Sequence, residues 1–512
     1  MTEQTPLSAE PTAPAPSSGR NTKRLAIVGI AAAVVIAGGG GAYAVFKKLD
    51  GGGAQPHDVL PSSVIAYARV DLDPSAGQKI ALLKLIRKFP DAARSIGIKS
   101  PGQDVRKLIF AEALKGSGCG LTYDKDIEPW IGNRLGVGLE KDAETPLVAV
   151  QVSDEVKARK GITALAKCGD GKAPGISFFD GYAVVAEKPA IADQAIKDAK
   201  LSPLADNKAF IEDFKDLGNQ GVASVWADAT SLTAAKKFGG SDAAFSGVES
   251  LEGVRSTAAT LTAQSNSVAF TAIAHTDKAL PALKPAKLTT LPTDTAFAIS
   301  VAGAGKPAVK SFNAFIDGLR KSGEDPTSEL ASIKKKFGFT LPEDIETLLG
   351  DSLTLAIGST NLETLPTLSS PADLAHLDIG LSLVSDPIKA KDLADRLVKL
   401  AERFGVPLHA FSAPHGAVIS TDGGTSVSLG GSGEVALGKD DTFTKVVPDA
   451  DNAFGALYVN IGAILDAISK AGPPPDIAKQ IDQVKVLSAL GGSVSKKSDH
   501  VGQATLRLSF NK

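Results

Sequence analysis

The sequence predicts an α+β protein: two tandem copies of an antiparallel-sheet-plus-helices unit, preceded by one transmembrane helix. Three observations predict it. An uncharged, mostly apolar run extends from Leu25 to Phe46, about the length that crosses a bilayer as a helix. The rest of the chain repeats the same landmarks in the same order. Its strand-like segments alternate or pair as hairpins, with amphipathic helical patterns between them.

Residues 1–24 open the chain as a tail rich in Pro, Ala, Ser and Thr, too poor in apolar surface to offset the entropy of ordering. We read it as a disordered cytoplasmic tail, followed by a transmembrane helix over 25–46 and a linker over 47–55. Lys47 and Lys48 close the apolar run, and Gly51-Gly52-Gly53 makes a flexible exit. A cleaved signal peptide is the competing reading, because Ala42-Tyr43-Ala44 fits a small-x-small site. The run is longer than an ordinary signal-peptide core, which favours a retained anchor between Leu25 and Phe46. Basic residues flank both ends, so charge does not set the orientation. Either way the bulk of the chain is expected at the cell membrane, on its extracytoplasmic side.

The first repeat covers 56–285 and the second 286–512. Leu60-Pro61 opens a strand over 64–71, and Leu291-Pro292 opens one over 296–301. Asp126-Ile127-Glu128 leads to the strand 135–139, as Asp344-Ile345-Glu346 leads to 353–357. The segment 148–154 parallels 379–386, and Ser224-Val225-Trp226-Ala227-Asp228 parallels Ala456-Leu457-Tyr458-Val459-Asn460. Leu82, Leu85, Ile86 and Phe89 share a helix face, matched by Val309, Phe312, Ile316 and Leu319. Residues 176–179 and 182–186 around Asp180-Gly181 read as a hairpin. At the C-terminus Ala504, Leu506, Leu508 and Phe510 alternate with Gln503, Thr505, Arg507 and Ser509, as in a half-buried antiparallel strand. These patterns place helices on one face of each sheet, and edge-to-edge pairing of the two sheets would remove an exposed edge.

The stretch Leu60-Pro61-Ser62-Ser63-Val64-Ile65-Ala66-Tyr67-Ala68-Arg69-Val70-Asp71, the basic helix running to Phe89-Pro90, and the Trp130-Ile131-Gly132 turn with its following strand resemble the bacterial family of uncharacterised proteins called DUF3352. The resemblance covers most of 56–512. It implies a single-pass envelope protein with a large outer region, of a type common in actinobacteria. The family has no established activity, so the resemblance carries over no catalytic residue.

Composition narrows the function. With 55 Lys+Arg against 57 Asp+Glu, the chain lacks the basic footprint of a nucleic-acid binder. Cys119 and Cys168, the two cysteines, form a candidate disulfide outside the cytoplasm. Two unpaired thiols are the alternative. His57, His275, His376, His409, His415 and His500 form no metal-binding spacing and read as surface or strand-end residues. Gly350-Asp351-Ser352-Leu353 spells the signature of GDSL hydrolases, and Asp373 with His376 spells D-x-x-H. The first repeat carries Gly132-Asn133-Arg134-Leu135 at the same turn, so a helix-to-strand turn explains both copies. Gly433 to Lys439 fits a P-loop spacing, but Asp440 stands where Ser or Thr would bind Mg²⁺. The helix from Lys79 to Lys88 presents its lysines to solvent or to anionic headgroups.

No catalytic, cofactor or metal residues are assigned. The leading expectation is a non-catalytic binding protein for an apolar ligand or an envelope partner, held in the lipid bilayer by its N-terminal helix. A structural or assembly role in the envelope is the alternative, followed by an envelope serine hydrolase using Ser352.

Overall fold

The computed structural model describes residues 53–511, except 73, 75, 90–103, 105, 108–109, 111–113, 115–118, 142–145, 170–172, 219, 232–252, 287 and 422–435. The expected tail, the anchor from Leu25 to Phe46 and the first part of the linker lie outside the described residues. So do residues 433–435, the start of the P-loop-like spacing. No described helix is long and apolar enough to cross a membrane.

The described strands are β1 (Val64–Asp71), β2 (Ile131–Glu140), β3 (Leu147–Val152), β4 (Gly175–Phe179), β5 (Tyr182–Ala186), β6 (Ala223–Asp228), β7 (Val254–Gln264) and β8 (Ser267–Thr276) in the first half. The second half has β9 (Thr295–Ala302), β10 (Ser352–Gly358), β11 (Ile379–Val384), β12 (His409–Ala413), β13 (Gly416–Ser420), β14 (Ala453–Val459), β15 (Leu487–Ser498) and β16 (Val501–Phe510). Helices α1 (Ala76–Arg87), α2 (Glu155–Gly169), α3 (Pro189–Leu201) and α4 (Lys208–Leu217) belong to the first half. The second carries α5 (Gly305–Lys321), α6 (Thr327–Phe337), α7 (Glu343–Leu349), α8 (Pro387–Glu402), α9 (Asp441–Val446), α10 (Ile461–Lys470) and α11 (Pro475–Val484).

All sixteen strands form one sheet, in the order β12-β13-β11-β10-β9-β14-β15-β16-β8-β7-β6-β1-β2-β3-β5-β4. Read inward from either edge, the order of the two halves is the same. The halves meet where β8 pairs with β16, antiparallel, with Thr271 opposite Thr505. Two equivalent strands paired antiparallel generate a pseudo-twofold axis perpendicular to the sheet. The seam leaves β4 and β12, each five residues long, as the outer edges. Short edges limit further strand addition.

Local details repeat as well. The Leu204 amide donates to the Leu60 carbonyl at 2.8 Å, and that of Leu437 to Leu291 at 2.7 Å. Asn207 caps α4, and Asp440 caps α9. Phe210 meets Trp226 edge-on at 5.6 Å, and Phe443 meets Tyr458 at 5.2 Å. The turn at Asp180-Gly181 has positive φ at both residues, as a tight hairpin turn requires.

Two expectations are corrected. Helices cover both faces of the sheet, not one. On the first face α3 and α4 pack against Tyr67, Ala149, Val184 and Trp226, and α9 packs against Tyr458 and Ala298. On the opposite face α1 covers Ala263 and Val268, α2 covers Val148 and Val150, and α8 covers Leu383 and Ile419. The physical reason lies in strands that are apolar on both sides: every residue of β5, and Leu147 to Val150 of β3, is buried. The second correction concerns β16. Its polar residues Thr505 and Ser509 face the covered side, where the Ser509 hydroxyl bonds to the Ala489 amide and carbonyl. Its apolar Leu506 is exposed.

The chain enters the fold earlier than the expected linker end. Residues 56–58 form a 3-10 turn, and the Ala54 carbonyl accepts from Tyr182 Oη at 2.8 Å. This strap crosses β2 at Gly136, where a Cβ would lie 2.3 Å from Pro56. Glycine is required there by close approach rather than by torsion.

Candidate functional site

The feature that stands out lies at the seam, on the face that α1 and α8 only partly cover. Residues directly opposite in an antiparallel ladder share a face. One such row runs Val225, Ala259, Ala272, Ala504, Val494, Gly455 and Val301 across β6, β7, β8, β16, β15, β14 and β9. The adjacent row runs Leu261, Phe270, Leu506, Gly492, Leu457 and Ile299. Neither row contains a polar side chain. Val225, Phe270, Ile299, Val301, Val494 and Leu506 are between 39% and 45% exposed. An exposed Leu is ordinary on a protein surface; six large apolar side chains in register on one sheet are not.

The two halves differ beside this strip. In the first, Val70 and Leu72 are buried beneath Phe110, Leu114 and Tyr123. In the second, Val301 stands at the position of Val70 and is exposed, while Phe315 of α5 also points to solvent. The opening therefore arises in the second half and runs across the seam into the first.

Behind the seam lies a buried polar network. The Asp213 carboxylate accepts from Trp226 Nε1 at 2.7 Å and bonds His275 Nδ1. His275 Nε2 meets Asp216 at 3.0 Å, and Lys497 of the second half reaches Asp216 at 3.3 Å. Burial pushes the Asp213 carboxyl above the usual carboxylate range, against the pull of Ser256, Trp226 and His275. His275 stands one residue from the end of β8, as a strand-end reading expects, but it is a buried bridge rather than a surface residue. Its signal was its place two residues after Ile273 on the covered face. Register supplies the second-half counterparts: Trp226 corresponds to Tyr458, Ser256 to Ala489 and His275 to Ser509. From the matched caps, Asp213 corresponds to Val446. The Asp213–Trp226–His275 cluster has its counterpart in no charged group of the second half, which contributes only Lys497 to the network.

His57 also departs from its expected surface position. It is buried against Tyr67 and Phe210, and burial, then Arg69 and Arg134, lower its pKa to about 3. Arg69 bonds Asp71 at 3.1 Å and also Gln220, and Arg134 lies 3.5 Å from Asp71. Arg134 occupies the position that Ser352 holds in the second half, since each pairs with the last residue of the neighbouring strand.

No described geometry unites the hydrolase-like residues. Gly350 ends α7 with φ +37°, and Ser352 begins β10. His376 precedes β11, whose first residue Ile379 pairs with Ile357 at the far end of β10. Ser352 and His376 are therefore separated by most of a strand, on the order of 20 Å. Asp373 caps its own turn through the Ser369 and Ser370 amides. A polar cavity of about 560 Å³ lies beside Gly350, lined by Lys306, Asp344, Asp351, Asp386, Lys389 and Arg396 among others. Its four aspartates are engaged: Asp344 with Arg396 at 2.7 Å, Asp392 with Arg396 at 3.0 Å, Asp351 with Lys284 at 2.7 Å, and Asp386 as the cap of α8. Asp440, at the end of the P-loop-like spacing, caps α9.

Cys119 and Cys168 are paired, with Cα atoms 5.5 Å apart. The bridge ties the segment carrying Tyr123 and Trp130 to the end of α2. Among the described residues no group of His, Cys, Asp and Glu could hold a metal ion.

No family model and no curated protein matches the chain. A solved structure titled crystal form I of TP0453 aligns at a TM-score of 0.21 and 9% identity, over 45% of this chain and 81% of its own. At that level the likeness carries no structural or functional inference.

The strip and the network share the seam, on opposite faces of the same strands. β7, β8 and β16 present Ala259, Ala272 and Leu506 to one side, and Ser256, His275 and Ser509 to the other. The polar side holds the layers together; among the described residues the central part of the apolar side has no helix over it.

Proposed function

We propose that this protein is a membrane-anchored extracytoplasmic protein of DUF3352 type, held by a helix over 25–46, whose non-catalytic outer region binds an apolar ligand or envelope partner on the central sheet face. The observation that carries the reading is the strip of six exposed apolar side chains in two unbroken, register-matched rows. An exposed patch of this size on a monomer commonly marks an interaction site. The Cys119–Cys168 pairing fits an oxidising compartment. The separation of Ser352 from His376 weighs against hydrolase chemistry.

The test is binding of an environment-sensitive apolar dye to the full chain. The native protein is expected to bind the dye with enhanced emission. A Phe270→Gln/Leu506→Gln variant is expected to lose most of that emission while keeping its circular dichroism. Equal binding by the variant would place the apolar site elsewhere, and absence of binding by the native protein would refute the reading.

A further inference from the structure

We propose that the strip takes up the acyl chain of a membrane lipid; this rests on the membrane-anchored, apolar-binding reading above and names its ligand. The first ground is shape. From β6 to β9 the rows cross six strand spacings, about 29 Å at ~4.8 Å each, and two rows side by side are on the order of 10 Å wide. A lipid chain spans half of a hydrocarbon core about 30 Å thick. The strip is therefore about twice as long as one chain spanning a leaflet, and has room for one extended chain or two end to end.

The second ground is chemistry. A protein partner needs polar groups at the rim to fix its register, and about 800 Å² of buried surface on each side. The six exposed side chains offer roughly half that area. The two rows hold no hydroxyl, amide or charge, so they recognise hydrocarbon and specify nothing about orientation. Alanine and glycine at 259, 272, 504 and 455 leave low ground along the row from Val225 to Val301, interrupted only by Val494, for a thin chain rather than a second sheet.

The third ground is proximity. Six residues, 47–52, separate the expected anchor from the first described residue, and the seven peptide steps from 46 to 53 reach at most about 25 Å. The strap enters at Gly136 on the face opposite the strip, so this tether holds the fold as a whole, rather than the strip itself, beside a reservoir of lipid chains.

The experiment places the full chain in phosphatidylcholine vesicles doped with a phosphatidylcholine that carries a photoreactive group in its acyl chain. After irradiation, adducts are mapped by peptide mass spectrometry. Adducts are expected within 259–272 and 492–506 as well as within 25–46. In Phe270→Gln/Leu506→Gln the strand adducts are expected to fall at least about tenfold, with the 25–46 adducts unchanged. Should that variant lose its fold, Val225→Thr/Val494→Thr makes the other row polar with nearly isosteric side chains. Adducts confined to 25–46 in the native protein would overturn the proposal. So would strand adducts insensitive to both variants, or a dimer in lipid-free solution whose dissociation follows these substitutions. Dye binding separates the two failures: dye bound without strand adducts sinks the lipid assignment alone, and neither signal sinks the apolar-binding reading as well.

Discussion

Replacing Asp213 with alanine removes the acceptor that holds Trp226 Nε1 and His275 Nδ1. All three side chains are buried: Asp213 is 0% exposed, Trp226 2% and His275 6%. Each orphaned donor forfeits a hydrogen bond to a charged group, worth about 1.5–3 kcal/mol. Two of them predict a loss of about 3–6 kcal/mol. The second half supplies an internal control, because Val446, Tyr458, Ala489 and Ser509 occupy the matching positions without a charge. Transplanting that set as Asp213→Val, Trp226→Tyr, Ser256→Ala and His275→Ser removes the carboxylate together with the two ring N–H donors that face it, and leaves only hydroxyls of the kind the second half already holds. It is expected to fall within about 1–2 kcal/mol of the native protein, since apolar replacement of a buried pair is often neutral. Chemical denaturation followed by circular dichroism measures both variants. A single substitution costing under about 1 kcal/mol, or a fourfold variant less stable than the single one, would refute the reasoning.

Other expectations are briefer. Reducing Cys119–Cys168 releases a closed loop with a sequence separation of 49 and should destabilise the fold by about 4 kcal/mol in the chain-entropy description; mass after alkylation without reductant checks that both thiols are blocked. Gly350→Ala places a Cβ 2.3 Å from the Val384 carbonyl at φ +37° and should lower the unfolding midpoint, whereas Gly318→Ala, in open space on α5, should raise stability by up to about 1 kcal/mol. Acid stability follows Asp104 and Asp344. Burial would raise both, but Arg106 with Tyr123, and Arg396, hold them below the usual carboxylate range. A folded-state value below the unfolded one gives stability that is present above about pH 4 and lost as pH falls through the folded value. The unfolding midpoint should therefore drop on acidification, and Arg396→Met should flatten that drop.

Much of the fold was legible because the repeat writes the same signals twice. Leu60-Pro61 and Leu291-Pro292 precede the matched strands β1 and β9, and Trp226 and Tyr458 mark β6 and β14. The pattern did not reveal that both sheet faces are covered, although Leu147 to Val150 is an unbroken apolar run of the kind that signals it. The inward polar face of β16 was hidden for a different reason. Periodicity says that Thr505 and Leu506 point oppositely, but α4 and α9 decide which side is covered, and they come from distant sequence. The strip was illegible for the same reason, since its rows join seven strands whose neighbours only the topology supplies. His275 looked isolated in sequence because Asp213 and Asp216 lie about 60 residues away.

Hydrogen–deuterium exchange of the full chain tests most directly whether the two halves form one sheet, on which both the network and the strip depend. Peptides covering 267–276 and 501–510 are predicted to exchange in the slowest class, together with β1 and β14. Seam peptides exchanging as fast as the edge strands β4 and β12, while β1 and β14 stay protected, would contradict the shared sheet.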